Sequence, residues 1–373
     1  MPTFMDGNQA IALGALDAGC DFFAGYPITP ATEILLHLTK ALPRTGGIVI
    51  QGEDEIASIG FCIGAAMSGR RAMTATSGPG ISLYSENIGL AVMGEVPLVI
   101  VDVQRMGPAT GAATTGAQGD TQFLRWGTSG GYPVIVLAPS TVQECYSLTI
   151  KAFQLAERFR VPVFLATDKE TAQTKATAVM ERTGPDAVPE RRTAPADQPF
   201  IPLDLDTLDD VPPMSPFGGP HILRFTTSSH DARGYLTKDP QQLERLNRHL
   251  QAKIEEHREE ISLVHADLQP EARTLILSYG ISAQSGRAAA AQARREGKCV
   301  SHLIVGSLWP VPEEQIRKAS RGVEKIIVPE LNLGQYAREI QRLAGNEQEV
   351  ISVNRVDGKL IPPEMILQQG GLR

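Results

Sequence analysis

The chain has 373 residues and a formal charge of −7, which allows two or three domains with buried cores. Both signs of charge are spread along it, which excludes a general nucleic-acid or anionic-membrane surface. Its longest apolar stretches are broken by Gly, Pro or charge, so no membrane span is expected, and the absence of a basic-then-apolar N-terminus makes the cytoplasm the default compartment.

From the N-terminus, residues 7–19 predict a helix, 21–25 a strand, 30–42 a helix and 48–51 a strand. Residues 54–68 predict a helix of small and apolar residues, followed by strand 72–76, helix 81–93 and strands 97–103 and 133–137. Thr141 and Glu144, spaced as a capping box, open a helix to Phe159, and strand 161–166 closes the series. This alternation predicts a doubly wound parallel sheet covered on both faces over residues 1–180. Residues 181–220 hold nine prolines and little periodicity. They read as a linker or an extended arm over a partner, with a charged surface helix near 243–260 completing a segment 181–271. Alternation resumes in 272–373, predicting a second, smaller α/β domain. The four cysteines, Cys20, Cys62, Cys145 and Cys299, form no C-x-x-C pair, so neither a structural zinc nor an iron–sulfur cluster is expected on this chain alone.

Tyr26-Pro27-Ile28-Thr29-Pro30 follows the first predicted strand. Two prolines stiffen the turn around one hydroxyl, at the strand end where open α/β sheets bind ligands. It reads either as an ordinary strand-to-helix turn or as a ligand contact. Glu53-Asp54-Glu55 stands at the head of a helix with no charge from Ile56 to Ser68. These acids serve either the helix terminus or, for the last of them, a catalytic role in a buried setting. Ser77-Gly78-Pro79-Gly80 links strand to helix, where the backbone can approach a ligand, but it lacks the further glycine of G-x-G-x-x-G and the lysine of a P-loop. Arg105 follows an apolar strand and precedes the Gly/Ala/Thr loop 107–119. It is placed either to bind a carboxylate or to pair with Asp102 or Asp120. The chain also lacks a Gly-Asp-Gly with a downstream Asn, the pattern that holds magnesium and diphosphate in thiamine enzymes. It looks equipped for half a site.

GNQAIALGALDAG, GYPITPATE, QGEDEIASIGFCIGAAMSG, TATSGPGISLYSENIGLAVMGEVPLVIVDVQRMGPATG and QGD, all within residues 7–170, together resemble the α subunit of 2-oxoacid:ferredoxin oxidoreductases, the 2-oxoglutarate type above all. RFTTSSHDARG, LWPVPEEQI and NLGQYAREI resemble that family more loosely. The resemblance implies a pyrimidine-binding domain of a thiamine diphosphate enzyme, then a transketolase C-terminal-like domain. It implies a β subunit carrying Mg2+, the diphosphate and a [4Fe-4S] cluster, with ferredoxin and CoA as further partners and an (αβ)2 assembly. Glu55, fourteen residues before Gly69, matches the glutamate that contacts N1′ of the aminopyrimidine. A carboxyl there favours the imino tautomer whose 4′ nitrogen takes the C2 proton. Thr29 and Arg105 match the residues that bind the 2-oxoacid, with Tyr26, Pro27 and Ile28 beside the cofactor. His230 matches a Gly-x-x-His-Asp segment and stands either near the distal end of the substrate or on the surface. Gly111-Ala112-Ala113-Thr114 departs from the Pro-Thr common in that loop.

Overall fold

The computed structural model describes residues 2–180, 184 and 187–373. Among these residues the larger sheet has eight strands, six of which, β2 (Phe22–Gly25), β3 (Ile48–Gln51), β4 (Ala72–Thr76), β5 (Leu98–Met106), β7 (Ile135–Leu137) and β8 (Pro162–Asp168), lie in the spatial order β3-β2-β4-β5-β8-β7. All these pairings are parallel. The central strands are buried on both faces, as parallel sheets between helices require. On one face α1 (Gly7–Asp17), α2 (Thr32–Ala41) and α7 (Val142–Phe159) pack over Phe23, Val99, Val101 and Val163. On the other lie α3 (Glu55–Met67) and α5 (Ser85–Met93) over Ala24, Ile100 and Phe164.

Helix α7 begins as its sequence predicts. The Thr141 hydroxyl accepts from the Glu144 N–H at 3.0 Å, while the Glu144 carboxylate accepts from the N–H of Ser140 at 2.7 Å. The expected helix over 81–93 is instead two pieces, α4 (Pro79–Leu83) and α5, broken at Tyr84. The expected loop 107–119 contains β6 (Ala112–Gly116), an antiparallel return on the end of β5. Its residues are small, so no apolar alternation marks it. A further two-stranded sheet joins β1 (Pro2–Asp6) to β9 (Lys175–Val179).

The second sheet has five strands, β10 (Val264–Asp267), β12 (Val300–Val305), β11 (Thr274–Ser278), β14 (Lys325–Glu330) and β15 (Glu349–Asn354), in that spatial order. Helices α11 (Ser282–Arg295) and α14 (Pro363–Gln369) cover one face. The other face shares a continuous core with the larger sheet, through Tyr279, Trp309 and Tyr336. Strand β13 (Ser307–Trp309) leaves the second sheet and pairs antiparallel with β7, so residues C-terminal to 272 complete the edge of the larger sheet.

The described part of the Pro-rich segment lies on its own chain. Arg191 makes two bonds to Glu157, at 2.7 and 2.8 Å, and donates to the carbonyls of Ala66 and Arg70. Arg71 and Arg160 donate to carbonyls of Val188, Pro189, Pro212 and Pro213. Proline brings no N–H, so the arm is held by its carbonyls and by the Arg191 side chain. The charged helix α9 (Pro240–Glu255) is amphipathic rather than a surface rod, with Leu250, Ile254, His249 and Lys253 buried. Lys253 Nζ reaches Glu95 at 2.6 Å, and His249 Nε2 reaches the same carboxylate at 3.1 Å. Among the described residues no helix is long and apolar enough to cross a membrane.

Candidate active site

The strands β3, β2, β4 and β5 are neighbours and parallel, so their carboxyl ends share one edge of the sheet. That edge brings together Glu55 after β3, the 26–30 turn after β2, Ser77–Gly80 after β4 and Arg105 near the end of β5.

Glu55 is the first residue of α3, and Asp54 takes the capping role, its carboxylate accepting the Ala57 N–H at 2.7 Å. Asp54 thus satisfies the helix terminus, and Glu55 is free for another task. Glu55 is 7% exposed, whereas Glu53 lies in solvent. The Glu55 carboxyl lies over Gly80. A Cβ at Gly80 would stand 2.9 Å from Glu55 Oε1 and 2.0 Å from Thr76 Oγ1, so only glycine fits beneath this carboxyl. Gly78 has φ +43° and leads into α4, with the Arg105 side chain against it.

Arg105 is 5% exposed. Its Nη1 donates to the Thr29 carbonyl at 2.6 Å and its Nη2 to the Thr110 carbonyl at 3.1 Å. Of the two sequence readings of Arg105, a salt bridge gives way to carbonyl contacts that tie the β2 turn to the β6 return. Arg105 Nε and Ser77 Oγ are buried without a hydrogen-bond partner among the described residues. Thr29, at the cis Thr29-Pro30 peptide, is exposed, as is Tyr26; Pro27 and Ile28 are half-buried. Thr29, Glu55 and Arg105 therefore converge.

His230 does not join them. It is buried, its Nδ1 2.8 Å from the Ser228 carbonyl oxygen, and lines a cavity of about 360 Å³ with Arg233, Arg245 and His249. It also lines a second cavity together with Glu95 and Arg160, which shortly precede β5 and β8, at the amino ends of the strands. Within one chain His230 thus sits at the opposite end of the sheet from Arg105.

Sequence reasoning underrated three features at this edge. Gly80 read as a weak phosphate turn, yet its missing Cβ makes room for Glu55. Asp102 interrupts the apolar strand β5, a visible signal of a buried polar role, and is fully buried beside Asp120. Gln118 is fully buried and bonds across to the second sheet. Its side-chain oxygen accepts from Ser282 Oγ at 3.0 Å and the Leu331 N–H at 3.1 Å, and its carbonyl accepts from Asn332 Nδ2 at 2.7 Å. A cleft of about 470 Å³ opens here between the two sheets, lined by Gly78, Met106, Asp120, Phe123, Leu331 and Asn332.

Comparisons with known proteins give the family of the chain. A family model described as pyruvate flavodoxin/ferredoxin oxidoreductase, thiamine diphosphate-binding, matches residues 13–246, and one for pyruvate:ferredoxin oxidoreductase core domain II matches residues 272–366. The chain is 42% identical to 2-oxoglutarate synthase subunit KorA of Methanothermobacter thermautotrophicus, covering 98% of this chain and 96% of that relative. It is 37% identical to ketoisovalerate oxidoreductase subunit VorB of the same organism, covering 97% and 95%. A solved 2-oxoglutarate:ferredoxin oxidoreductase from Magnetococcus marinus, with 2-oxoglutarate, coenzyme A and succinyl-CoA bound, superposes with a TM-score of 0.90 at 32% identity. The match covers 99% of this chain and 64% of that one.

Proposed function

Because the chain belongs to the pyruvate flavodoxin/ferredoxin oxidoreductase family, we propose that it is the α subunit of a thiamine diphosphate-dependent 2-oxoglutarate:ferredoxin oxidoreductase. The reaction is CoA-dependent oxidative decarboxylation of 2-oxoglutarate to succinyl-CoA with reduction of ferredoxin, or its reverse. The observation that carries the reading is the convergence of Glu55, Thr29 and Arg105 at one sheet edge, with Gly80 shaped to Glu55.

The residues fit the cofactor's pyrimidine end. A buried carboxyl at a helix head, kept clear by a glycine, can hold a proton shared with N1′ of an aminopyrimidine. When bound, thiamine diphosphate supplies the carbanion chemistry of 2-oxoacid decarboxylation. Arg105, with its buried unpartnered Nε, and Thr29 would hold the substrate carboxylate and carbonyl. Arg105 is already oriented by two carbonyls, so little freedom is lost when substrate binds. Tyr26, Pro27 and Ile28 would flank the ring. His230 could contact substrate only from a second copy or through a different approach to the site, since its own chain keeps it at the other end of the sheet.

The diphosphate end has no matching motif in this chain, and a β subunit would bring Mg2+, the diphosphate contacts and a [4Fe-4S] cluster. The outer face of α3 supports such a partner. Ile56 and Phe61 are 49% and 46% exposed, Gly60 and Gly64 leave open space above them, and no charge interrupts the face. An uncharged exposed helix face of this kind marks an interaction surface. An (αβ)2 assembly in the cytoplasm, with ferredoxin as acceptor, completes the reading.

The second reading is the same chemistry on a branched-chain 2-oxoacid, favoured by the 37% identity to the ketoisovalerate subunit. The test is a panel of 2-oxoacids assayed with the co-purified heteromer. A clear preference for 2-oxoglutarate in kcat/KM supports the first reading; a preference for ketoisovalerate overturns it in favour of the second.

A further inference from the structure

Close to Arg105 the structure holds two carboxyl groups that no reaction step has yet used: Asp102, fully buried, and Asp120, half-buried with its Oδ2 out of solvent. Asp102 and Gln104 project from the same face of β5, by the two-residue alternation of a strand. Gln104 Oε1 accepts the N–H of Asp120 at 3.1 Å, which seats the head of α6 (Thr121–Trp126) over that face and over the Asp102 carboxyl. The Asp120 N–H seated on Gln104 brings the Asp120 carboxyl close enough to Asp102 for the two to act on each other. Neither Asp102 oxygen, nor Asp120 Oδ2, meets a fixed donor among the described residues at hydrogen-bond geometry. Two carboxylates cannot bond each other; one proton between them makes the bond and removes the repulsion.

We propose that Asp102 and Asp120 share a single proton and act as a positioning pair that keeps Arg105 and the Gly78 turn in register for a substrate carboxylate. The proposal rests on the role given to Arg105 above. The surroundings set the charge. Arg105 is the cation acting on Asp120, and the Gly78 N–H lends Asp102 a favourable dipole from the β4 turn. Glu55, anionic when ionised, stands over Gly80 on the same turn. From β8, Asp168 lies opposite Gln104 in register, but its carboxylate is occupied by the N–H groups of Thr171 and Ile281. From the second sheet come neutral groups: Gln335 Nε2 donates to the Gly119 carbonyl at 2.6 Å, and Asn332 and Gln118 fix the same tripeptide. One shared proton leaves the pair with a single negative charge against Arg105. Loss of that proton adds a second negative charge beside buried Asp102, and the repulsion pushes Asp120 and the head of α6 away from β5. Burial raises both carboxyls; the Asp120 charge raises Asp102 further, while the bond to Asp102 and the Arg105 charge draw Asp120 back, which supports a shared proton held mainly on Asp102.

Asp102→Asn and Asp120→Asn each imitate the protonated member, locking the pair in its one-charge state at every pH. The holo heteromer is to be followed by infrared spectroscopy of the carboxylic C=O stretch and by the pH profile of KM for the 2-oxoacid. The wild type should show a buried protonated-carboxyl band that disappears with rising pH, and KM should climb over the same range, by up to about tenfold per pH unit for loss of one proton. Either single variant should lack the band, keep a near-wild-type KM at neutral pH and lose the alkaline climb. A band that survives both substitutions overturns the shared proton. A lost band with an unchanged KM profile overturns the positioning role. If instead Arg105→Ala leaves KM unaltered while the band persists, the substrate reading of Arg105 has failed and the proton-sharing stands.

Discussion

Gly80→Ala places one methyl group between Thr76 and Glu55. The new Cβ would lie 2.0 Å from Thr76 Oγ1, 2.9 Å from Glu55 Oε1 and 3.0 Å from Glu55 Cγ. Thr76 is fully buried on β4 and has no solvent to move into, so Glu55 must give way. Overpacking of this kind costs about 1–3 kcal/mol of stability. The larger effect is on chemistry, because misplacing a reacting group by about 1 Å costs on the order of 10²-fold in rate. The reconstituted heteromer carrying Gly80→Ala should therefore assemble, melt a few degrees lower and lose about 10²-fold in kcat. Adding Thr76→Ala removes the closest contact and should recover most of the stability, while the contact with Glu55 remains and the rate stays low. If Gly80→Ala folds and turns over near the wild-type rate, Glu55 does not act from the position described. If Thr76→Ala restores the rate as well as the stability, the damage came from β4 and not from Glu55.

Two further variants test other contacts. Arg105→Ala should raise KM for the 2-oxoacid far more than it weakens thiamine diphosphate binding, measured by titration of the cofactor into the heteromer; equal loss of both would contradict its role. Lys253→Met removes the 2.6 Å partner of a buried carboxylate and should cost about 3–5 kcal/mol in denaturant unfolding. Burial alone would raise the Glu95 carboxyl, but Lys253, His249 and Arg160 outweigh it and hold it below its ordinary 4.5. Burial pulls the Lys253 ammonium down while Glu95 pushes it up, and direct contact keeps both charged. A depressed carboxyl stabilises the fold above its unfolded value, and that contribution is lost as pH falls through the folded value. Acid unfolding of Lys253→Met should accordingly begin at a higher pH than in the wild type; an unshifted acid limb would show that Glu95 does not depend on this lysine.

Much of the active edge could be read in the sequence because its chemistry sits where strands end. Thr29 stands between prolines, Glu55 heads an uncharged helix, and Arg105 follows an apolar strand. The topology that makes β3, β2, β4 and β5 adjacent then brings them together. Most of what escaped had no local signal. Strand β13 is three residues long and gains its place only by pairing with β7. The β6 return is built of Ala, Thr and Gly. Helix α9 carries so many charges that burial of His249 and Lys253 becomes apparent only when Glu95 is found opposite them. Asp102 and Asp120 each read as a partner for Arg105, whereas its Nη1 and Nη2 go to the carbonyls of Thr29 and Thr110. His230 lay in a segment whose resemblance was loose, and its distance along the sheet from Arg105 depends on how α9 and the Pro-rich arm fold back over the chain.

Glu55→Ala in the reconstituted heteromer tests the half-site most directly. The variant should co-purify with the β subunit at unchanged size while 2-oxoglutarate-dependent ferredoxin reduction falls to background. Ferredoxin reduction near the wild-type rate by an intact Glu55→Ala heteromer would contradict the account.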